Sequence, residues 1–169
     1  MYCVGDTVVY GTHGVCRINS IEENDISGES MEYYVLRPVY DENSTVFVPV
    51  KNERLVSQMR SVMTADEIYE MIHSMPDEQT IWIEDENERK QRYQELIDQG
   101  DRRKLVRLIK TLHNHQLKQQ SLGRRLHIAD EKVLKQAESL LYHEFAVVLN
   151  ISPEEVVPFI TDRIGIEQK

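Results

Sequence analysis

A run of cations in the C-terminal half is the feature of this sequence best suited to binding chemistry. The run is free of acidic residues and consists of Arg102, Arg103, Lys104, Arg107, Lys110, Lys118, Arg124 and Arg125. Within it, Arg103, Arg107 and Lys110 have the i, i+4, i+7 spacing that places side chains on one face of a helix. Such a face either binds anions or is a solvated helix surface, and both interpretations are open.

The solitary tryptophan is a second candidate binding residue. Trp82 lies between Ile81 and Ile83, a few residues before Arg89 and Arg92. An indole beside cations can wedge between bases or stack on them while the cations hold phosphates. A tryptophan between two isoleucines is also typical of a core residue.

Residues with catalytic or metal-binding potential are few. Cys3, His13 and Cys16 could meet at a metal in the folded chain, although a small buried cysteine is the simpler interpretation. His113 and His115 are two residues apart on a predicted helix and therefore point in different directions. The sequence has no Walker-type glycine loop and no zinc-protease or nucleophile-elbow motif. We therefore expect a protein without catalytic residues, metal, cofactor or small-molecule substrate.

Composition and charge restrict the function classes further. The chain of 169 residues is 40% hydrophobic and 29% charged, which is typical of folded domains. Its net charge of −9 disfavours indiscriminate nucleic-acid binding, but residues 61–100 carry −8 and residues 101–169 carry +3. No apolar run approaches the ~20 residues of a membrane span, and the N-terminus lacks a signal-peptide pattern. We expect a cytoplasmic protein.

The first sixty residues predict a small β domain. Short β-branched segments alternate there with turn residues, and the predicted strands are 6–10, 15–21, 31–36, 45–49 and 55–60. Five short strands fit an SH3/Tudor-like barrel over residues 1–60. An exposed edge of this barrel could pair with a strand of another protein, unless the chain's own helices cover it.

Residues 61–169 have the period of helices and predict an all-helical domain of about five helices. A capping box begins at Thr64. Gly100 is suited to end a helix at 86–99, and Asp101 is suited to cap the next one. The predicted fold class is therefore α+β, with the β domain first.

The opening of the chain resembles a known family. The string VGDTVVYGTHGVC at residues 4–16 resembles the start of the CarD/CdnL family of bacterial transcription regulators. The same pattern occurs in the polymerase-binding module of transcription–repair coupling factors. Residues 32–36 and 45–49 and the segment around Glu144 continue the likeness, which covers about residues 1–150.

The resemblance implies a function in transcription initiation. Family members are not enzymes. Their β domain binds the lobe of the RNA polymerase β subunit through a strand edge, and their helical domain contacts promoter DNA at the upstream edge of the bubble. There a tryptophan wedges into the minor groove and slows bubble collapse. We expect a monomer, associated with the nucleoid through polymerase.

Individual residues follow from the resemblance and from the basic run. Expected polymerase contacts are Asn24, Asp25, Thr45 and Phe47, the expected wedge is Trp82, and expected phosphate contacts are Arg89, Arg92, Arg103, Arg107 and Lys132. The leading hypothesis is a regulator that stabilises the promoter open complex. The alternative is an adaptor that binds polymerase or another partner without touching DNA. An enzymatic role would require a pocket joining Cys3, His13 and Cys16.

Overall fold

The chain folds as two compact units, Met1–Val62 and Met63–Lys169. The structure is a computed structural model that describes residues 1–26 and 28–167. The first unit consists mainly of strands and the second of helices, so the predicted α+β class is confirmed. We refer to them as the β unit and the helical unit.

The β unit is a five-stranded antiparallel sheet. Its strands are β1 (Thr7–Tyr10), β2 (Val15–Asn24), β3 (Met31–Pro38), β4 (Val46–Pro49) and β5 (Met59–Ser61), in the spatial order β4-β3-β2-β1-β5. The pairing of β2 with β3 shifts register between Ile18 and Ser20. A bulge of this kind bends a strand and increases its twist, which helps a small sheet to enclose a core.

Alternation along these strands builds the core of the β unit. Residues two apart point to the same face of a sheet. The buried residues of this core are Val8, Tyr10, Cys16, Ile18, Tyr34, Leu36, Val48 and Met59. The short strands of the β unit are therefore held by one shared apolar face.

The predicted fifth strand at 55–60 is wrong in its first half. Residues Glu53–Val56 form the short helix α1, and β5 begins only at Met59. The Asn52 side chain caps this helix by accepting the N–H of Leu55 at 3.1 Å. Asparagine is among the best N-cap residues, and this local hydrogen bond favours a helical turn over a strand.

Up to residue 167, where the described part of the chain ends, the helical unit contains five α-helices. They are α2 (Ala65–Ser74), α3 (Glu86–Gln99), α4 (Arg102–Ser121), α5 (Ile128–Leu149) and α6 (Pro153–Glu167), with a 3-10 turn (Met75–Asp77) after α2. Among the described residues, no helix has both the length and the apolar character needed to span a bilayer.

Local capping signals set the helix ends as predicted. The Thr64 hydroxyl accepts the N–H of Glu67 at 3.1 Å, and the Glu67 carboxylate accepts the N–H of Thr64, which completes the capping box. Gly100 ends α3 in the left-handed conformation at φ 64°, and Asp101 caps α4 through the N–H of Lys104 at 3.0 Å. Gly100, which has no Cβ, and Asp101, a favoured N-cap residue, therefore separate α3 from α4.

Helix α5 is central to the helical core. It packs against α2, α3, α4 and α6. The largest fully buried apolar side chains of the unit are Ile68, Ile72, Tyr93, Ile97, Leu108, Leu112, Leu141 and Phe145.

A buried carboxylate links several elements within this core. Glu144 on α5 is 1% exposed and accepts two hydrogen bonds of 2.7 Å from the guanidinium of Arg102 on α4. The same carboxylate accepts the backbone N–H of Met63 at 2.8 Å. Because a buried charge is stable only when it is paired, Glu144 ties the start of the helical unit to two of its helices.

We predict that Glu144→Ala destabilises the protein by about 3 kcal/mol, since it removes one partner of a buried ion pair. Glu131→Ala is the matched control on the same helix, because Glu131 pairs with Lys135 at the surface and should contribute at most about 0.5 kcal/mol. Urea unfolding monitored by circular dichroism measures both values. Equal effects of the two variants would contradict the role of Glu144.

Candidate functional site

Trp82 lies in the non-helical residues 78–85 between the 3-10 turn and α3, which we call the tryptophan segment. Its first residue is anchored to α4 by charge. Glu78 is 7% exposed, and its carboxylate accepts the Nε–H groups of Arg103 and Arg107 at 2.6 and 2.7 Å. Hydrogen bonds from Arg107 and Arg103 lower the pKa of Glu78. The carboxylate therefore remains ionised and paired at neutral pH.

Lys110 completes the anchor at the start of the segment. Its Nζ donates to the backbone carbonyls of Met75, Pro76 and Glu78 at 3.2, 2.7 and 2.8 Å. These bonds hold the backbone of the 3-10 turn and of Glu78 directly after it, and the Met75 carbonyl also accepts the N–H of Glu78 at 3.2 Å. The cationic face of α4 therefore serves mainly to hold this turn.

The middle of the segment is fixed through the backbone of Ile81. Its N–H donates to the Thr111 hydroxyl at 2.9 Å, and its carbonyl accepts the Tyr93 hydroxyl at 2.7 Å. The Thr111 hydroxyl in turn donates to the Arg107 carbonyl at 2.6 Å. Burial raises the pKa of Tyr93 to about 12, so this hydroxyl remains a donor at neutral pH. Helix α4 thus holds the N–H and helix α3 the carbonyl of Ile81, the residue next to Trp82.

Arg89 is the third anchor of the segment. The residue is 4% exposed, and its Nε and Nη2 donate to the two carboxylate oxygens of Asp130 at 3.0 and 3.1 Å. Its Nη1 donates to the carbonyls of Ile83 and Glu84 at 3.0 and 3.3 Å. Because its side chain is buried and bound to Asp130 and to two carbonyls of the segment, Arg89 positions the segment, and a phosphate contact of Arg89 stays a prediction.

The indole of Trp82 lies between these anchors and is partly buried. It stacks on the His115 ring of α4 at a centroid distance of 3.8 Å, and the guanidinium carbon of Arg89 lies 4.5 Å from the indole centroid. Burial lowers the pKa of His115, which favours the neutral imidazole at neutral pH. His115 Nε2 lies 3.1 Å from Nε2 of Gln119, which fixes the orientation of the ring. The tryptophan is therefore held in one orientation and remains partly accessible.

The other expected phosphate contacts occupy different places. Arg92 and Lys132 are exposed on α3 and α5. The side chains of Arg103 and Arg107 are 67% and 35% exposed, although both share Glu78. The structure thus brings Trp82 together with Arg89, brings Arg103 together with Arg107, and leaves Arg92 and Lys132 as separate surface cations.

The edge strand of the β unit carries two of the expected polymerase contacts. Among the described strands, β4 pairs only with β3, with Phe47 opposite Val35. The N–H of Val50 donates to the Glu32 carbonyl of β3. Residues an odd number of positions apart in an antiparallel strand direct their N–H and C=O groups to opposite sides. Phe47, three positions before Val50, therefore directs these groups to the open side, away from β3. Phe47 is 40% exposed, and Pro49 offers no N–H at all. The available edge is therefore short and centred on Phe47 and the exposed Thr45.

The remaining two expected contacts lie elsewhere on the sheet. Asn24 ends β2 and pairs with Met31, and the N–H of Asp25 donates to the Asn24 side chain at 2.8 Å. Both residues are exposed. Strand β3 separates them from β4, so Asn24 and Asp25 form a group distinct from Thr45 and Phe47.

The three residues of the enzymatic alternative do not form a metal site in the described part of the chain. Cys3 is exposed, whereas Cys16 is buried and directs its thiol to the Gly14 carbonyl at 3.5 Å. Burial raises the pKa of Cys16 to about 11, which disfavours a reactive thiolate. The His13 ring stacks on Tyr10.

Several residues of the site carry no signal in the sequence. Glu78 belongs to an acidic segment and Asp130 to a helix start, where carboxylates are expected at the surface. Thr111 and Tyr93 look like ordinary helix residues. Their roles depend on contacts between residues 12 to 41 positions apart, which no local pattern reveals.

Comparison with known proteins agrees with this arrangement of two units. Residues 2–63 match the family model of the CarD-like/TRCF RID domain, and residues 67–161 match that of the CarD C-terminal domain. A protein of Bacillus subtilis (strain 168) described as "Putative transcription factor YdeB" is 27% identical over 166 residues, which cover 94% of this chain and 99% of that protein. The chain therefore belongs to the CarD family of transcription-related proteins that interact with RNA polymerase.

Proposed function

We propose that the protein binds the β subunit of RNA polymerase through the β unit and stabilises the promoter open complex through the helical unit. The observation that carries the proposal is the fixed, partly exposed indole of Trp82, held by Arg89, His115 and the backbone contacts of Ile81. A wedge must keep its orientation to stop unpaired bases from closing again. Unstacking one base step costs a few kcal/mol, so a rigid indole favours DNA that is already distorted.

The polymerase contact is assigned to the open side of β4. Main-chain groups of Phe47 face away from β3 there, and a strand of the partner can pair with them. The exposed Phe47 ring packs edge-to-face on Tyr33 at 6.2 Å and adds an apolar contact beside the backbone pairing. Asn24 and Asp25 would contact the polymerase separately, from the end of β2.

DNA phosphates are assigned to the exposed cations of the helical unit. Arg92 and Lys132 are exposed, and the guanidinium of Arg103 remains largely exposed while it binds Glu78. A net charge of −9 opposes loose binding to DNA. Attachment to polymerase overcomes this, because it raises the effective concentration of a weak DNA contact.

An adaptor that does not touch DNA is the second candidate. It is favoured by the burial of Arg89 and by the engagement of Arg103 and Arg107 with Glu78, since these cations are used within the protein. In that case Trp82 is a structural residue that joins the tryptophan segment to α4. The two candidates differ in whether the indole affects the open complex.

We expect Trp82→Ala to shorten the lifetime of a promoter open complex roughly fivefold, corresponding to about 1 kcal/mol, because the wedge is lost. Polymerase binding should be unchanged. Trp82→Phe, which keeps a ring, should retain part of the effect. Open-complex decay after addition of a competitor measures the lifetime, and thermal unfolding of each variant verifies the fold. An unchanged lifetime with a folded Trp82→Ala variant would support the adaptor.

A proline substitution tests the edge of β4. Phe47→Pro removes an N–H that faces the open side, so it should weaken binding to polymerase by about tenfold while the β3–β4 ladder remains intact. Phe47→Ala separates the contribution of the ring. The control Val48→Pro removes a ladder hydrogen bond and should reduce stability as well. Biolayer interferometry with immobilised polymerase measures binding, and wild-type affinity of a folded Phe47→Pro variant would exclude this edge.

A further inference from the structure

An apolar groove of about 320 Å³ lies within the helical unit, and the tryptophan segment does not line it. One wall is a face of α4 within residues 106–114. The other walls are the 3-10 turn before the tryptophan segment, Leu141 and Tyr142 of α5, and Ile164 of α6. The groove is thus bounded by four elements of one unit.

The apolar residues of this groove form its floor and not an exposed patch. Val106, Ile109 and Leu141 are buried, and Tyr142 and Ile164 are half-buried. A flat protein surface therefore makes little contact with this floor, whereas a narrow apolar chain can reach it. Such a chain is stabilised in proportion to the apolar area that leaves water.

Lys110 brings a positive charge to the groove that no carboxylate balances. Its half-buried ammonium donates to three backbone carbonyls at 3.2, 2.7 and 2.8 Å, but it makes no ion pair within the described part of the chain. By contrast, Arg102, Arg103 and Arg107 of the same helix each bind a carboxylate. Because a partly desolvated cation is stabilised by a nearby negative charge, the groove favours an anionic group beside Lys110.

Negative charge that could repel an anion from the groove is weak. Among the described residues, no carboxylate lines it. Glu138 contacts one lining residue, His113, with Oε1 and Nε2 3.1 Å apart. The hydrogen bond from Glu138 raises the pKa of His113, which favours the imidazolium that neutralises this carboxylate. The charge of Lys110 is therefore the net charge of this rim.

Two polar side chains of the groove can hold a head group. The Asn114 amide and the Tyr142 hydroxyl have no hydrogen-bond partner among the residues that the structure describes. Asn114 follows Lys110 by one helical turn, so its N–H groups and the charge of Lys110 can act on the same anion. Burial raises the pKa of Tyr142, so its hydroxyl remains a donor at neutral pH.

We propose that this groove binds a small amphipathic carboxylate, with an acyl chain over Val106, Ile109 and Leu141 and its carboxylate beside Lys110 and Asn114. A volume of about 320 Å³ is at the lower end for small-molecule sites, so a medium-length chain fits better than a membrane lipid. The inference is independent of the proposed function, since Trp82 does not line the groove.

Isothermal titration calorimetry of the full-length protein tests both halves of the ligand. Octanoate carries the chain and the carboxylate, octylammonium carries the same chain with the opposite charge, and acetate carries the carboxylate without the chain. Saturable binding of octanoate is expected. Octylammonium should bind at least about tenfold more weakly, because Lys110 repels it, and acetate should show no saturable binding.

A variant that fills the groove and a matched control locate the ligand. Ile164→Trp enlarges a lining residue of α6 and should abolish octanoate binding. Ile128→Trp makes the same substitution at a residue that is 73% exposed and does not line the groove, so binding should be unchanged. Octanoate should raise the thermal midpoint of Ile128→Trp but not that of Ile164→Trp.

Asn114→Ala provides a second test that does not alter the apolar floor. Asn114 is exposed, so the variant should fold, and loss of one hydrogen bond to the carboxylate should weaken octanoate binding about fivefold. The affinity for octylammonium should not fall in parallel. Circular dichroism verifies the fold of each variant.

Four results would overturn the inference. The first three are no binding of octanoate, equal affinities for octanoate and octylammonium, and wild-type affinity of a folded Ile164→Trp variant. The fourth is a dimer in sedimentation velocity that Ile164→Trp dissociates and octanoate leaves intact, because it would assign the groove to a second copy of the chain.

Discussion

The buried pair of Arg89 and Asp130 is the interaction on which the site depends. Its two carboxylate bonds fix the guanidinium, and the same guanidinium then holds two carbonyls of the tryptophan segment and lies over the indole. A segment without helical or strand hydrogen bonds needs such partners to keep one conformation. Loss of either member would leave the other charge buried and unpaired, so the pair constrains both the fold and the orientation of Trp82.

Charge in the helical unit is consequently used inside the molecule as much as on its surface. Glu78, Asp130 and Glu144 are buried carboxylates, and each is matched by arginine. The cationic face of α4 is therefore neither a purely solvated helix surface nor a face reserved for external anions. Much of it holds Glu78 and the 3-10 turn, and Lys118, beyond Lys110, is exposed. In an acidic protein, a local cationic surface of this kind is thus limited by the carboxylates that the same helix binds.

Local signals predicted much of the fold, and distant contacts account for what was missed. Thr64, Gly100 and Asp101 act on residues within one turn, so their effect can be read directly from the sequence. The short helix α1 was missed because a single capping residue, Asn52, outweighed a strand-like composition. The sequence singled out Trp82, but the burial of Arg89 depends on Asp130, 41 positions away. Chemistry at this site is therefore a property of the tertiary arrangement.

The proline at the end of β4 has a consequence for self-association. Exposed strand edges are liable to zip copies of a protein into extended sheets. Here Pro49 withholds one donor from the open side, and the strand spans only Val46–Pro49. An edge of this length can pair with a short segment but not with a long strand of a second copy of the protein. The short edge with one missing donor therefore disfavours the pairing of copies into extended sheets.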